Sequence, residues 1–396
     1  MKTRRRWLIL AVGVLAQASA CSFLYGIPYL EPVMRDAERL SLAAAGVVVA
    51  APMVGLLFTL IAWGAAADRY GERVVMAAGL GLCGALVLVA QQVSALPGFV
   101  LLLGLAGAAG ASVNAASGRL VMGWFDARER GLAMGIRQTA QPLGVGIAAI
   151  SLPVLADRFG FRAALAAPAV LVLVSTVAVV VLAADPPRPA GRAVAGRSPY
   201  RESTLWRVHG ASALLVMPQF AISAFSLEYL VRERSWGAAV AGAFLAVVQV
   251  CGALGRIGSG HWSDRVASRL RPMRQLAVAS AGVMLLFAVG NAAAPWLAVV
   301  AIAVGAVITV ADNGLGFTAT AELAGTAWSG RALGVQNTGQ NIVSALTPPL
   351  LGLIIGHAGY TVGFLVAAVF PLAAILVTPV AAERRRQVEE ATAPAR

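Results

Sequence analysis

The chain has 396 residues, of which 59% are hydrophobic and 12% are charged, and that charged share is about half the value in an ordinary soluble protein. This composition argues against a water-soluble globular enzyme and for a chain that lies largely in a bilayer. The net charge of +13 would suit a nucleic-acid ligand, but the basic residues are concentrated in particular loops, where they orient membrane proteins. We therefore expect no nucleic-acid partner.

Long apolar stretches run through the whole chain, and a stretch of about 20 residues can cross a bilayer as a helix. Solid apolar runs favour helices, since a lipid-facing barrel would alternate polar and apolar residues. Twelve spans are predicted, six before and six after a polar segment: 7–30, 41–67, 74–93, 98–122, 135–156, 162–184, 208–231, 238–262, 275–292, 295–321, 334–356 and 359–381. The sequence thus predicts an all-α membrane protein with 12 transmembrane helices.

The distribution of Lys and Arg predicts the orientation. If the N-terminus is cytoplasmic, the inside segments hold 22 of these residues and the outside loops hold 6, as the positive-inside rule requires. The predicted organisation is a six-helix bundle at 1–184, a cytoplasmic linker at 185–207, a second six-helix bundle at 208–382 and a cytoplasmic tail at 383–396. We expect a monomer embedded in the lipid bilayer of the cytoplasmic (inner) membrane, with both termini inside.

Two loop motifs recur about half a chain apart, at an offset of 196 residues, and both read Gly-x-x-x-Asp-Arg with a basic residue five positions after the Asp. The first copy contributes Gly64, Asp68, Arg69, Gly71 and Arg73, and the second contributes Gly260, Asp264, Arg265, Ala267 and Arg269. Residues 135–141 match 334–340 at an offset of 199, and the same offset places Asn114 on Asn313. Several matches in one register predict a duplicated six-helix unit, which is how many secondary transporters are built.

Twelve spans in two halves, with this motif between the second and third spans, resemble the major facilitator superfamily over the whole chain. The resemblance implies two pseudo-symmetric six-helix bundles and transport by alternating access. It also implies a conformational latch made of Gly64, Asp68, Arg69, Gly71, Arg73, Asp264 and Arg265. Gly64 allows close helix approach, and an acidic side chain such as Asp68 is stabilised near a helix N-terminus, which the resemblance implies is that of span eleven, near Gly334. The alternative is a solvated turn whose arginines only enforce topology.

Ionisable residues inside the spans each need a reason, because a charge at the bilayer centre costs about 2.5 kcal/mol or more. Arg256 lies about 12 Å along its helix from Asp264, and Asp312 lies in the tenth span. The stretch 255–265 is similar to span eight of monocarboxylate and oxalate–formate type carriers, a resemblance which implies that Arg256 binds a substrate carboxylate. We expect Asp312 to pair with Arg256 or to carry a coupling proton.

Other polar residues in the spans are further candidates. Asn114 and its repeat mate Asn313 are predicted to contact substrate, with hydrogen bonding between helices as the alternative. Arg119 is a candidate substrate contact and Arg137 a candidate cytoplasmic gate. Both arginines lie about 10 Å from the loop at 126–130, so that snorkelling to the membrane surface is the alternative reading.

No catalytic or metal-binding pattern is present, since the three histidines show no ligand spacing and no Walker A sequence occurs. We expect no enzyme activity, no metal and no cofactor. The leading hypothesis is a secondary carrier for a small organic solute, in particular an organic anion such as a monocarboxylate, with or without a coupled proton (symport or antiport). The alternative of the same fold is a multidrug or metabolite exporter that exchanges its cargo for protons. A third hypothesis, a membrane sensor or enzyme, would need a soluble domain or a catalytic cluster.

Overall fold

The computed structural model of the chain describes residues 2–40, 42–186, 198–325, 327–383 and 385. This described part is helical almost throughout and contains no β-strand, so the predicted all-α fold is confirmed. Residues 187–197 of the predicted linker, and the predicted tail apart from Glu383 and Arg385, lie outside the described residues.

Fifteen α-helices are described. Those of the first sequence half are α1 (Lys2–Leu24), α2 (Glu31–Glu38), α3 (Leu42–Tyr70), α4 (Glu72–Ala90), α5 (Leu96–Trp124), α6 (Arg130–Gln138), α7 (Ala140–Phe159), α8 (Phe161–Ala164) and α9 (Ala166–Leu182). Those of the second half are α10 (Ser203–Glu228), α11 (Ala238–Arg265), α12 (Leu270–Ala293), α13 (Pro295–Ala311), α14 (Asn313–Ala324) and α15 (Ser329–Val377).

Eleven helical stretches of the described chain are long and apolar enough to cross a bilayer. The last of them, Ser329–Glu383, has 55 residues and contains non-helical backbone at Gly359, where φ is 79° and ψ is 170°. Because this break separates two helices, the last stretch provides two spans, and the total agrees with the twelve predicted from the sequence. The chain is therefore a multi-pass helical membrane protein.

Some span boundaries differ from the predicted ones. The basic N-terminal residues continue the first helix back to Lys2. A 3₁₀ turn at Ile27–Leu30 follows that helix, since the proline in this turn cannot donate a backbone hydrogen bond. The fifth span is interrupted at Thr139, between α6 and α7, and the tenth at Asp312, between α13 and α14.

The helices form two compact units, and each unit contains a segment from the other half of the sequence. Unit 1 comprises Met1–Asp126, Ile136–Ala195 and Gly325–Thr338. Unit 2 comprises Ala127–Gly135, Gly196–Ala324 and Gly339–Arg396. The start of α6 thus belongs to unit 2, and the start of α15 belongs to unit 1.

Each unit has its own apolar interior. Phe23 and Phe99 are fully buried in unit 1. In unit 2 the rings of Phe287 and Phe364 stack with their centroids 3.6 Å apart. Large apolar side chains such as Phe58 lie on the outside of the protein, which is typical of helices that are apolar all round because they face lipid.

Candidate functional site

The first loop motif contacts the beginning of α15, inside unit 1. Asp68 lies in the last turn of α3, and its carboxylate accepts hydrogen bonds from the backbone N–H groups of Gly330 and Arg331 at 3.0 and 3.2 Å. These groups belong to the first turn of a helix, where no intrahelical acceptor exists and negative charge is favoured. The contact lies one helical turn before Gly334, near which the family resemblance implied it.

Gly64 lies one turn before Asp68, on the same face of α3. A Cβ atom at Gly64 would overlap the carbonyl oxygen of Gly330. The glycine thus lets the start of α15 come close, and the aspartate caps it. This geometry gives a physical reason for the fixed spacing of the two residues in the motif.

Arg119 of α5 joins two carboxylates beside this contact. Its Nη1 lies 2.5 Å from Asp68 Oδ1, its Nε pairs with Glu72 Oε1, and its Nη2 donates to the carbonyl oxygen of Ala67 at 2.5 Å. Glu72 is 1% exposed, and sequence reasoning missed it, although it lies only four residues after Asp68, at the start of α4. The guanidinium of Arg119, which the sequence predicts as a substrate contact, is therefore engaged by the loop motif.

The second loop motif repeats the arrangement inside unit 2. Asp264 accepts hydrogen bonds from the backbone N–H groups of Gly131 at 2.9 Å and Leu132 at 2.8 Å, in the first turn of α6. A Cβ atom at Gly260 would overlap the carbonyl oxygen of Gly131. The two motifs therefore have the same geometry, and each reaches a helix start from the other half of the sequence.

The cation beside Asp264 comes from its own loop. Arg269 Nη1 lies 2.5 Å from Asp264 Oδ1, and its Nε lies 3.4 Å from Glu322 Oε2 of α14. Burial acts to lower the pKa of Arg269, but Glu322 and Asp264 raise it, and the pKa lies above its usual value. Arg269 therefore stays charged, and Arg130, whose Nη1 lies 3.6 Å from Glu322 Oε1, adds a second positive charge beside these acids.

Two acidic residues near the ends of the sequence halves cap the helices that follow the motifs. The backbone N–H of Arg73 donates to Asp185 Oδ1 at 2.8 Å, and that of Arg269 donates to Glu383 Oε1 at 2.6 Å. Sequence reasoning did not single out Asp185 or Glu383. Their separation of 198 residues is close to the repeat offset and could have identified them.

The other residues of the two loop motifs either form the turn after the capping aspartate or have exposed side chains. Gly71 has a φ of 94°, and Ala267, its counterpart in the second copy, has a φ of 48°. A side chain is strained in this left-handed region, so Ala267 adopts a backbone conformation that favours glycine. Arg69 and Arg265, which follow the two capping aspartates, are exposed.

Two opposite charges are buried within the spans of unit 2. Arg256 of α11 is 6% exposed and Asp312, at the interruption between α13 and α14, is 2% exposed. The two residues carry opposite charges, and Asp312 directly follows Ala311 in the sequence. Ser259, one turn after Arg256, donates a hydrogen bond to the carbonyl oxygen of Ala311 at 2.6 Å, which fixes α11 beside the interruption.

A pair of amide side chains occurs at equivalent places in the two units. In unit 1, Gln17 Nε2 donates to Asn114 Oδ1 at 2.6 Å. In unit 2, Asn313 Nδ2 donates to Gln219 Oε1 at 3.1 Å. The sequence singled out both asparagines as candidate substrate contacts but not Gln17 and Gln219. These two glutamines are 202 residues apart, so extending the repeat to the first helix of each half could have found them.

Arg137 is buried in unit 1, with 3% of its surface exposed. Its Nε and Nη2 donate to Ser117 Oγ at 3.0 and 2.8 Å, and its Nη1 donates to Gln138 Oε1 at 3.1 Å. Nη2 also lies 3.3 Å from Gln17 Oε1 and 3.5 Å from the carbonyl oxygen of Asn114. Arg137 is thereby joined to the amide pair of unit 1.

Within the described residues, no group of three or more His, Cys, Asp or Glu side chains is arranged to hold a metal ion. The groups brought together in the spans are guanidinium, carboxylate, amide and hydroxyl. Their chemistry is ion pairing, hydrogen bonding and proton exchange.

Comparison with known proteins gives a consistent result. Residues 9–348 match the sequence model described as Major Facilitator Superfamily. A protein of Mycobacterium tuberculosis (strain ATCC 25618 / H37Rv), named an uncharacterized MFS-type transporter, is 44% identical over 380 residues, which cover 95% of this chain and 85% of that protein.

Solved structures share the fold at low sequence identity. The proton:xylose symporter XylE has a TM-score of 0.76 at 14% identity and covers 95% of both chains. The human organic anion transporter MFSD10 has a TM-score of 0.73 at 16% identity, over 95% of this chain and 99% of that one.

Proposed function

The chain belongs to the major facilitator superfamily and is a multi-pass membrane transporter; on this premise we propose that it is a secondary active transporter of a small organic anion. The observation that carries the proposal is the burial of two opposite charges, Arg256 and Asp312, near the helix interruption in unit 2. In this proposal the cargo crosses the cytoplasmic membrane by alternating access, both termini lie in the cytoplasm, and a proton gradient drives the transport.

Burial within a span is what makes this pair informative. Ionisable residues are expensive there and commonly mark substrate paths or proton relays. The guanidinium of Arg256 can hold a carboxylate through two parallel hydrogen bonds. Discontinuous helices, such as α13 and α14 on either side of Asp312, commonly form the central sites of transporters.

The same pair offers a route to proton coupling. The cargo carboxylate competes with Asp312 for Arg256. Without Arg256 nearby, the negative charge of the Asp312 carboxylate would be costly inside the membrane. Uptake of a proton by this carboxylate removes the charge. Anion binding and proton uptake are linked in this way, and Asn313, which is bonded to Gln219, offers a neighbouring polar contact.

Two solved proteins of the same fold support the plausibility of this cargo and this driving force. One is named an organic anion transporter, and another is named a proton:xylose symporter. The fold thus accommodates both anionic cargo and proton coupling.

We propose further that the two loop motifs act as a conformational latch. Asp68 and Asp264 each tie a motif of one sequence half to a helix start of the other half. A carboxylate at a helix N-terminus contributes about 0.3–1 kcal/mol, or up to about 2 kcal/mol where partly buried. Contacts of this size can hold one state and still break during each transport cycle. Arg119 belongs to this latch in our proposal, since Asp68 and Glu72 already engage it.

A thermal-shift screen of the purified protein against monocarboxylates, dicarboxylates and amphipathic cations tests the cargo class. We expect carboxylates to stabilise the wild type, because ligand binding to the folded state raises its stability. Arg256→Lys should lose most of that effect, since an ammonium cannot reproduce the two parallel bonds. Arg162→Lys is the matched control, because Arg162 pairs with Glu38 elsewhere. Stabilisation by amphipathic cations alone would contradict the proposal and favour a multidrug exporter.

A further inference from the structure

The two amide pairs differ in how completely they are bonded, and the pair of unit 2 is the incomplete one. We propose that Gln219 and Asn313 bind a hydroxyl group of the cargo, so that the preferred cargo is a small carboxylate with a hydroxyl group on its chain. The inference deepens the proposed function and rests on it. It adds Gln219, which the sequence did not single out, as a residue that determines specificity.

The amide pair of unit 1 is held by several neighbours. Gln17 Nε2 donates to Asn114 Oδ1 at 2.6 Å and lies 3.5 Å from Cys21 Sγ. Gln17 Oε1 accepts hydrogen bonds from Ser117 Oγ at 3.2 Å and from Arg137 Nη2 at 3.3 Å. Both ends of the Gln17 amide are therefore bonded, and this pair is part of the internal packing of unit 1.

The amide pair of unit 2 makes a single bond. Asn313 Nδ2 donates to Gln219 Oε1 at 3.1 Å, and within the described part of the chain this is the only side-chain hydrogen bond of either residue. Gln219 Nε2 thus donates to no described protein group, and Asn313 Oδ1 accepts from none. With both amides turned over, one nitrogen and one oxygen would again be open.

The internal repeat gives the reason why the second pair is incomplete. Ser117, whose hydroxyl donates to Gln17, falls on Gly316 at the offset of 199. A glycine has no side chain that could bond to Gln219. The first pair obtains a hydroxyl from the protein, whereas in the second pair a hydroxyl at this place has to come from water or from the cargo.

The open amide groups lie in the part of unit 2 that holds the buried charges. Asn313 directly follows Asp312 at the start of α14, and Gln219 directly follows a proline within α10. Ser259, one turn after Arg256, is bonded to the residue before Asp312. Polar groups are costly within a span and commonly mark a substrate path. One cargo molecule can therefore place its carboxylate and its hydroxyl within the same unit.

A hydroxyl group matches the two open groups, because its oxygen accepts a hydrogen bond and its hydrogen donates one. It can accept from Gln219 Nε2 and donate to Asn313 Oδ1 without bringing a second charge into the membrane. A plain alkyl carboxylate would displace water from both amides and leave them without a partner, which lowers affinity. Sites that bind a substrate hydroxyl generally discriminate strongly against analogues that lack it.

Butyrate and its three straight-chain hydroxy derivatives are the probes, because they share one charge and one chain length and differ in the hydroxyl alone. Binding is measured by calorimetry on the full-length purified protein. We expect at least one hydroxybutyrate to bind about 10- to 100-fold more tightly than butyrate, the range for two hydrogen bonds. Gln219→Leu and Asn313→Ala should each remove most of this preference, because each deletes one of the two partners.

Controls separate recognition of the hydroxyl from a general effect on the protein. Gln275→Leu makes the same change at an exposed glutamine of unit 2, and it should leave the preference unchanged. Arg256→Lys should weaken the binding of butyrate and of its derivatives alike, since they share the carboxylate. A wild type that binds butyrate and all three derivatives equally overturns the inference, whether or not the variants fold.

The remaining outcomes distinguish the two proposals. Retention of the full preference in Gln219→Leu overturns the inference alone. Binding of carboxylates that depends on Arg256 but shows no preference for a hydroxyl also overturns the inference and leaves the proposed function intact. Binding of no carboxylate in this assay and in the thermal-shift screen overturns both.

Discussion

The two capping aspartates allow a reciprocal test, because each one protects different backbone amides. Asp68 accepts the N–H groups of Gly330 and Arg331, and Asp264 accepts those of Gly131 and Leu132. Asp68→Asn should therefore speed hydrogen exchange at the start of α15 and leave α6 unchanged. Asp264→Asn should do the reverse.

The expected magnitude follows from the contacts of Asp68. Asparagine keeps one acceptor oxygen but loses the other, and a lost cap costs about 0.5–2 kcal/mol. Loss of the charge at the helix N-terminus adds about 0.3–1 kcal/mol. Arg331, at 3.8 Å and 41% exposed, adds little, and Arg119 keeps its pairing with Glu72. The total of about 1–3 kcal/mol corresponds to about 5- to 150-fold faster local opening.

Hydrogen exchange followed by mass spectrometry, with peptides that cover residues 328–334 and 129–135, measures both sites in one experiment. Each variant is the control for the other. Equal exchange in wild type and both variants at both sites would refute the capping role. Acceleration at both sites in each variant would show global destabilisation instead of loss of one cap.

Three other predictions concern the turn, the proton and the orientation. Gly71→Ala should lower the unfolding temperature, because a side chain in the backbone conformation of Gly71 costs about 1–3 kcal/mol. Ala267→Gly should raise the unfolding temperature, because it relieves the strain at φ 48°. A shift of the unfolding temperature in the same direction in both variants would contradict the strain argument. Asp312→Asn should keep anion exchange in proteoliposomes but lose its response to a pH gradient, and gradient-driven uptake by this variant would refute the proposed coupling. A cysteine placed at Ser198 should resist a membrane-impermeant reagent in intact cells, and its labelling there would overturn the proposed topology.

Much of the fold could be predicted because each membrane span can be recognised from its own local sequence. A solid apolar run of sufficient length has few alternatives to a transmembrane helix, and the break at Gly359 coincides with a predicted one. The resemblance placed the start of α15 near Asp68, but the assignment of segment 127–135 to unit 2 could not be predicted. It depends on packing between distant parts of the chain, which periodicity does not report.

For the candidate site, the sequence identified the residues more readily than their partners. The cost of burying charge singles out Arg256 and Asp312 in any apolar run. Glu72 was missed, because an acid at a helix start is usual on a protein surface and only the structure brings Arg119 against it. Gln17 was missed for a similar reason, since an uncharged amide in an apolar helix gives a weak signal until its contact with Asn114 is known.

Uptake of a small organic anion into proteoliposomes tests the central claim most directly, with wild type and Arg256→Ala compared under an imposed pH gradient. The wild type should accumulate the anion when the gradient is present and only exchange it when the gradient is absent. Arg256→Ala should do neither, because the buried guanidinium that holds the carboxylate is gone. Full gradient-driven accumulation of the anion by Arg256→Ala would contradict the account.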